Sequence, residues 1–204
     1  MMSLLLPTTL LSVVAHVAPV TRELPPQGAR LDTALAITAA TRISLDLKSG
    51  GAVKITGGSD SKVVRVRVTE NGRECKECNV ELEQTSQGIQ LRSSRPSGAP
   101  SQLRFEIEVP SHFDVDVTSA GGEVQIEGVD GSIKGQTESG ALNLRRISGE
   151  VDMQTKRGDV VLKESYVSGR VASSNGKVLL EDVSGSVKGS AQGGKVTERR
   201  VTRD

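Results

Sequence analysis

The chain has 204 residues, a formal net charge of +1, and an aromatic content of 1%, made up of Phe105, Phe113 and Tyr166 with no Trp. That balance favours neither nucleic acid nor an anionic membrane, and so few aromatics leave no base-stacking platform. It also excludes a globular core built on aromatics, although a narrow core filled by small aliphatics is compatible with it, and 22 glycines fit a chain with many turns.

In chain order, residues 3–15, SLLLPTTLLSVVA, form an apolar run too short to span a bilayer, which takes about 20 residues. The run resembles the h-region of a secretory signal, with Val13 and Ala15 permitting cleavage after Ala15, although no Lys or Arg precedes it. PVTRELPPQGAR follows as a polar, Pro-rich linker. Residues 1–30 are therefore read as a signal-like segment and linker, and the chain as exported to the periplasm, outer surface or medium. The alternative for the apolar run is a first buried strand.

Strand patterning begins near residue 34. Ile43, Leu45 and Leu47 alternate, then come GAVKITGG, VVRVRV at 63–68, Val80 with Leu82, and Ile89 with Leu91. After a loop at RSSRPSGAPSQ, Phe105, Ile107 and Val109 alternate up to Pro110, which cannot donate to a ladder. Phe113, Val115 and Val117 follow, and no stretch has a helical period. Residues 31–121 are read as the irregular, strand-rich N-terminal part of a repeat fold, and residues 122–204 as its regular part.

The repeat is explicit. Gly122, Gly140, Gly158, Gly176 and Gly194 recur every eighteen residues, with Gly131, Gly149, Gly169 and Gly185 about midway. Two residues after the first series stand Val124, Leu142, Val160, Val178 and Val196. Four after it stand Ile126, Leu144, Leu162 and Leu180, then Glu198. Val129, Ile147 and Val183 form a third row, with Val167 as the displaced member. Ile133, Val151, Val171 and Val187 form a fourth, and Thr137, Thr155, Ser173 and Ala191 a row of small residues at a tight corner. Alternation by two marks strands with one buried face, and the glycines serve turns that a Cβ would penalise. Two short strands per half-repeat are expected.

One repeat cannot bury its own apolar face. Stacking like on like does so, at about 1.5–3 kcal/mol for each buried Val, Leu or Ile. The predicted fold is an all-β parallel solenoid of eighteen residues per turn, with Val115 and Ser119 already in phase with Ile133 and Thr137.

The outward rows carry charge. Glu127, Arg145, Lys163, Glu181 and Arg199 form one row; Gly128, Arg146, Glu164, Asp182 and Arg200 form the next. Mixed signs favour a solvated face with weak ion pairs over a polyelectrolyte-binding strip. Glu127, Glu181 and Asp182 are the carboxylates to test for polysaccharide cleavage, which needs acidic pairs; here Arg145 and Lys163 intervene. The nonapeptide Asp of a calcium-binding β-roll is replaced mostly by Val, Leu and Lys, so no metal and no cofactor is expected.

Cys75 and Cys78 form the one C-x-x-C. In an exported chain a local disulfide in a turn is the expected state, ahead of free thiols and, last, of a metal or redox role; a zinc site would need two further ligands, for which His112 and His16 are the histidines available. His112, in VPSHF, has no positioned nucleophile and reads as a surface or structural residue, and Ser139, Ser148, Ser168 and Ser184 read as turn residues.

The stretch IEVPSHFDVDVTSAGGEVQIEGVDGSIKGQTESGALNLRRISGEV carries a resemblance. VP at 109–110 is followed by GEVQI at 122–126, VDG at 129–131, TESG at 137–140, ISG at 147–149, TKRG at 155–158, VSG at 167–169 and VSG at 183–185. Over about residues 40–200 this resembles the putative adhesin family of bacterial strand-repeat proteins, a domain of unknown function. The resemblance implies an all-β solenoid, commonly exported or surface-associated, and it supplies no catalytic residues. The expected role is a non-enzymatic interaction module of the cell surface or envelope, with a protein or glycan as partner. The alternatives are a self-assembling scaffold and, behind both, a polysaccharide-active enzyme. Glu198 falls where the Leu180 row would continue inward. A charge there is expected to cap the end and keep the chain a monomer, unless further repeats follow.

Overall fold

Alternating apolar residues dictate strands throughout, and strands are what the chain forms. The computed structural model describes residues 32–37, 41–59, 62–74, 78–94 and 102–203. The signal-like run, the linker, His16 and Cys75 lie outside the described residues.

Among the described residues there are seventeen strands and no helix. The N-terminal ones are β1 (Asp32–Ala36), β2 (Arg42–Leu47), β3 (Ala52–Ser59), β4 (Val63–Glu70), β5 (Arg73–Glu74), β6 (Val80–Thr85), β7 (Gly88–Ser93), β8 (Leu103–Pro110) and β9 (Asp114–Ser119). The repeat region supplies β10 (Val124–Glu127), β11 (Asp130–Thr137), β12 (Leu142–Arg145), β13 (Ser148–Arg157), β14 (Val160–Asn175), β15 (Val178–Ser184), β16 (Val187–Ala191) and β17 (Val196–Thr202). Each half-repeat thus holds one strand rather than the two expected from the sequence, and in the third repeat both halves run together as β14.

The pairing is mostly parallel. One ladder runs β7–β2–β9–β11–β13–β14–β16 and the other β8–β3–β10–β12–β14–β15–β17. Antiparallel strands finish the N-terminal side: β6 on β7, β4 on β8, β1 on β4, and β5 folded back on β4. The β4–β5 turn uses Asn71 and Gly72, both at positive φ, as a two-residue hairpin of the primed kind requires. The fold is therefore all-β, predominantly parallel, with a mixed N-terminal end.

Register follows the eighteen-residue period. Val124 pairs with Leu142, Leu142 with Val160, Val160 with Val178 and Val178 with Val196. Ile126, Leu144, Leu162 and Leu180 line up beside them, all at most 1% exposed. The rungs continue N-terminally through Val53 and Ile55 of β3 to Phe105 and Ile107 of β8. The spatial order of these rungs differs from chain order, because β2 lies between β7 and β9 while β3 lies between β8 and β10.

Two sequence assignments are corrected by register. Val167 is not a displaced member of the Val129–Ile147–Val183 row. That place belongs to Ser165, which pairs with Val183, and Val167 pairs with Gly149. Val171 does not follow Val151 either. Gly169 stands between Val151 and Val187, and Val171 pairs with Met153. The third repeat has exchanged G-x-V for V-x-G, so the positive-φ kink moves from Gly149 and Gly185 to Gly169 while Val167 stays buried. The period itself never slips.

Close approach explains the first glycine series better than turn conformation alone. A Cβ on Gly140 would stand 2.0 Å from the carbonyl oxygen of Gly122, at φ +115°. Equivalent contacts of 2.0–2.2 Å recur at Gly158, Gly176 and Gly194. The glycines are stacked backbone on backbone, with no room for a side chain.

Candidate binding surface

Inward-facing residues account for the core, so any recognition must use the outward rows and the corners. One corner is formed by Gly128, Arg146, Glu164, Asp182 and Arg200, all in the left-handed region with φ between 50° and 71°. That conformation costs a non-glycine residue roughly 1–2 kcal/mol. The backbone N–H groups of Gly128 and Arg146 each donate to the next rung, to the Arg145 and Lys163 carbonyls at 3.1 Å, which offsets part of the strain.

Ion pairs link the rungs along this corner. Glu127 meets Arg146 at 2.7 Å, Arg145 meets Glu164 at 2.8 Å, and Lys163 meets Glu181 at 2.7 Å. Arg199 and Arg200 also reach Glu181, each at 3.7 Å, and Arg200 engages Asp182 through two nitrogens. The Lys163 ammonium, hydrogen-bonded to Glu181, holds that carboxyl below the usual carboxylate range, and the Arg200 guanidinium does the same to Asp182. A general acid needs the opposite shift. Of the three carboxylates to test for hydrolysis, Glu127 and Glu181 are thus engaged by cations of the next rung or the previous one, and Asp182 by Arg200.

The opposite corner carries a groove of about 350 Å³. Its members come from the ends of five strands in rung order: Asp46 and Leu47 of β2 with Lys48 just after it, Thr118 and Ser119 of β9 with Ala120, Gln136 and Thr137 of β11 with Glu138, Gln154 to Lys156 of β13, and Ser174 of β14. Leu47, Ser119, Thr137 and Thr155 point inward and are buried. By strand alternation the residues on either side form two walls. One wall is Asp46, Thr118, Gln136 and Gln154; the other is Lys48, Ala120, Glu138, Lys156 and Ser174. Lys156 pairs with Glu138 at 2.6 Å and Lys48 with Asp46 at 3.9 Å, while the Gln154 amide lies 3.5 Å from the Gln136 carbonyl.

Beneath the groove runs a row of buried hydroxyls. Ser119 donates to Gly121 O at 2.9 Å, Thr137 to Ser139 O at 2.9 Å, Thr155 to Gly140 O at 3.1 Å and Ser173 to Gly158 O at 2.8 Å. The sequence marks these positions only as small. Their hydroxyls satisfy the carbonyls of the glycine turns, so they are hydrogen-bonding residues.

Other sequence candidates lie apart from the groove. His112 is exposed, with Nδ1 2.9 Å from Asp130 Oδ2. Cys78 is disulfide-bonded and packs against the core. Glu198 stands opposite Leu180 and is bound by Arg203 at 2.5 Å. The groove residues went unread in the sequence because neither glutamines nor threonines signal a site. Carrying the eighteen-residue spacing to the outward positions at Thr118, Gln136 and Gln154 would have aligned them.

Among the described residues no helix is long and apolar enough to cross a membrane. No protein-family model matches the chain, and no curated protein does. Among solved structures the chain is similar to a putative cell adhesion protein from Clostridium sporogenes, at 12% sequence identity and a TM-score of 0.38, over 85% of this chain and 99% of that one.

Proposed function

We propose that the chain is an exported, non-enzymatic β-solenoid that acts as a monomeric interaction module of the cell surface or envelope, adhesin-like in role. One observation carries the reading. The same outward positions recur rung after rung, and along one corner they build a groove shared by five strands. Such a face presents a rigid, repeated chemistry along its length, which suits gripping an extended partner better than enclosing a small substrate. The charge ladder of the other corner supports the same reading, since its carboxylates are neutralised by cations rather than poised for proton transfer.

The test is adhesion by a protein of defined mass. Purified protein, shown by sedimentation to be monomeric, is expected to bind whole cells or an immobilised glycan panel and to release no product from polysaccharides. Turnover of any polysaccharide would overturn the reading. N-terminal sequencing of protein recovered from the medium or periplasm tests export.

A second reading, a self-assembling scaffold, is favoured by one feature. Among the described residues β16 and β17 each pair on one side only, and an unpaired strand edge is a template for another chain. Concentration-dependent mass or filaments would support it over the monomeric module.

A further inference from the structure

We propose that the groove beside Gln136 and Gln154 takes an uncharged, hydroxyl-rich chain, a strand of neutral polysaccharide, laid along the stacking direction across the rungs. The proposal rests on the surface-binding reading above and names the ligand class for it.

Length comes first. The groove draws on β2, β9, β11, β13 and β14. At about 4.8 Å between neighbouring strands, four spacings make roughly 19 Å. A single small molecule would occupy one or two rungs, whereas a polymer spans several at once. The final rung carries two small residues, Ala172 beside Gln154 and Ser174 in the far wall.

The chemistry of the walls selects the ligand. Thr118, Gln136 and Gln154 follow one another down one wall, a hydroxyl and then two carboxamides. Each carboxamide both donates and accepts, as does each hydroxyl, so a polyol finds a partner in either orientation. The charged members cancel. Lys156 is paired with Glu138 and Lys48 with Asp46, so a polyanion would meet two carboxylates and a polycation two ammonium groups. No aromatic side chain lines the groove, so apolar or stacking ligands have no platform.

An extended peptide is disfavoured for a separate reason. Peptides add to sheets at open edges. The backbone of Ser119, Thr137 and Thr155 is already paired on successive rungs. Recognition must therefore come from side chains, with many weak hydrogen bonds in place of a few strong ones, and affinity should climb with ligand length.

The experiment titrates the full chain with cellohexaose and maltohexaose as neutral probes, the corresponding disaccharides as short ones, and hexagalacturonate as a charged one, read by NMR and calorimetry. At least one neutral hexamer is expected to shift the side-chain amides of Gln136 and Gln154 and to bind at least tenfold more tightly than its disaccharide. The double variant Gln136→Ala, Gln154→Ala is expected to weaken that binding at least tenfold with an unchanged melting temperature, since both side chains are exposed. The proposal is overturned if neither neutral hexamer binds, if the double variant binds as well as the parent, or if hexagalacturonate binds more tightly. Adhesion to cells separates the two readings. A double variant that adheres normally removes the groove and leaves the surface-binding module standing. A parent chain that binds the hexamer yet never adheres removes the module and leaves the groove.

Discussion

Asp182 receives the guanidinium of Arg200 from the rung that follows, with Nη2 2.6 Å from Oδ2, and both residues sit in the left-handed corner conformation. Asp182 and its neighbour Glu181 are held below the usual carboxylate range, by Arg200 and Lys163 respectively. A carboxyl depressed in the folded state stabilises that state above its unfolded pKa of about 4, and the contribution disappears as pH falls through the folded value. Asp182→Asn should therefore lower the melting temperature at pH 7 by about 1–3 °C. The difference from the parent should shrink as pH falls below about 4, and also in high salt. Thermal unfolding monitored by circular dichroism across pH checks all three. An equal deficit at pH 7 and pH 2 would show that the ion pair is not its source.

Gly140→Ala should be among the most damaging single substitutions. The added Cβ would fall 2.0 Å from Gly122 O, in a backbone region L-residues rarely adopt. A loss of more than about 3 kcal/mol is expected from strain and clash together. Gly72→Ala is the control. It also has positive φ, at +74°, but nothing lies within 4 Å, so only the conformational cost of about 1–2 kcal/mol applies. Urea unfolding of the two variants should separate them clearly.

Ser165→Ala removes the acceptor for the Ile147 amide, which the hydroxyl meets at 3.1 Å inside the core. The orphaned N–H should cost roughly 1–3 kcal/mol, although a methyl fits the space. Hydrogen exchange gives the sharper check: the Ile147 amide should lose protection out of proportion to its neighbours.

Glu198→Leu restores the apolar row of Leu180 at the last described rung. With the charge gone, concentration-dependent self-association is expected, measured as rising mass in light scattering. A variant that stays monomeric at all concentrations would count against Glu198 as a cap.

The rows of Val124 and Ile126 were legible because two periods coincide there, alternation by two and recurrence by eighteen, and both act on the same apolar residues. Residue type misled where the repeat itself varies. Reading Val167 as the partner of Ile147 assumed that a valine must sit in a valine row, whereas hydrogen-bonded register puts a buried serine there. The groove was illegible for a different reason. Thr118, Gln136 and Gln154 face solvent, where no packing constraint writes a pattern into composition. The place of β2 between β7 and β9 leaves no mark either, since an alternating strand reads the same whichever neighbour it finds.

That last feature bears on how the protein is made. Residues 42–59 emerge from the ribosome before either flanking segment has been synthesised, and β2 and β3 can each complete their pairing only after Leu103 to Glu127 have appeared. Assembly therefore cannot proceed as a simple wave from the amino end. The eighteen-residue units beyond Gly122 hold their partners close in sequence and are the natural nucleus, onto which the older part of the nascent polypeptide must later be threaded.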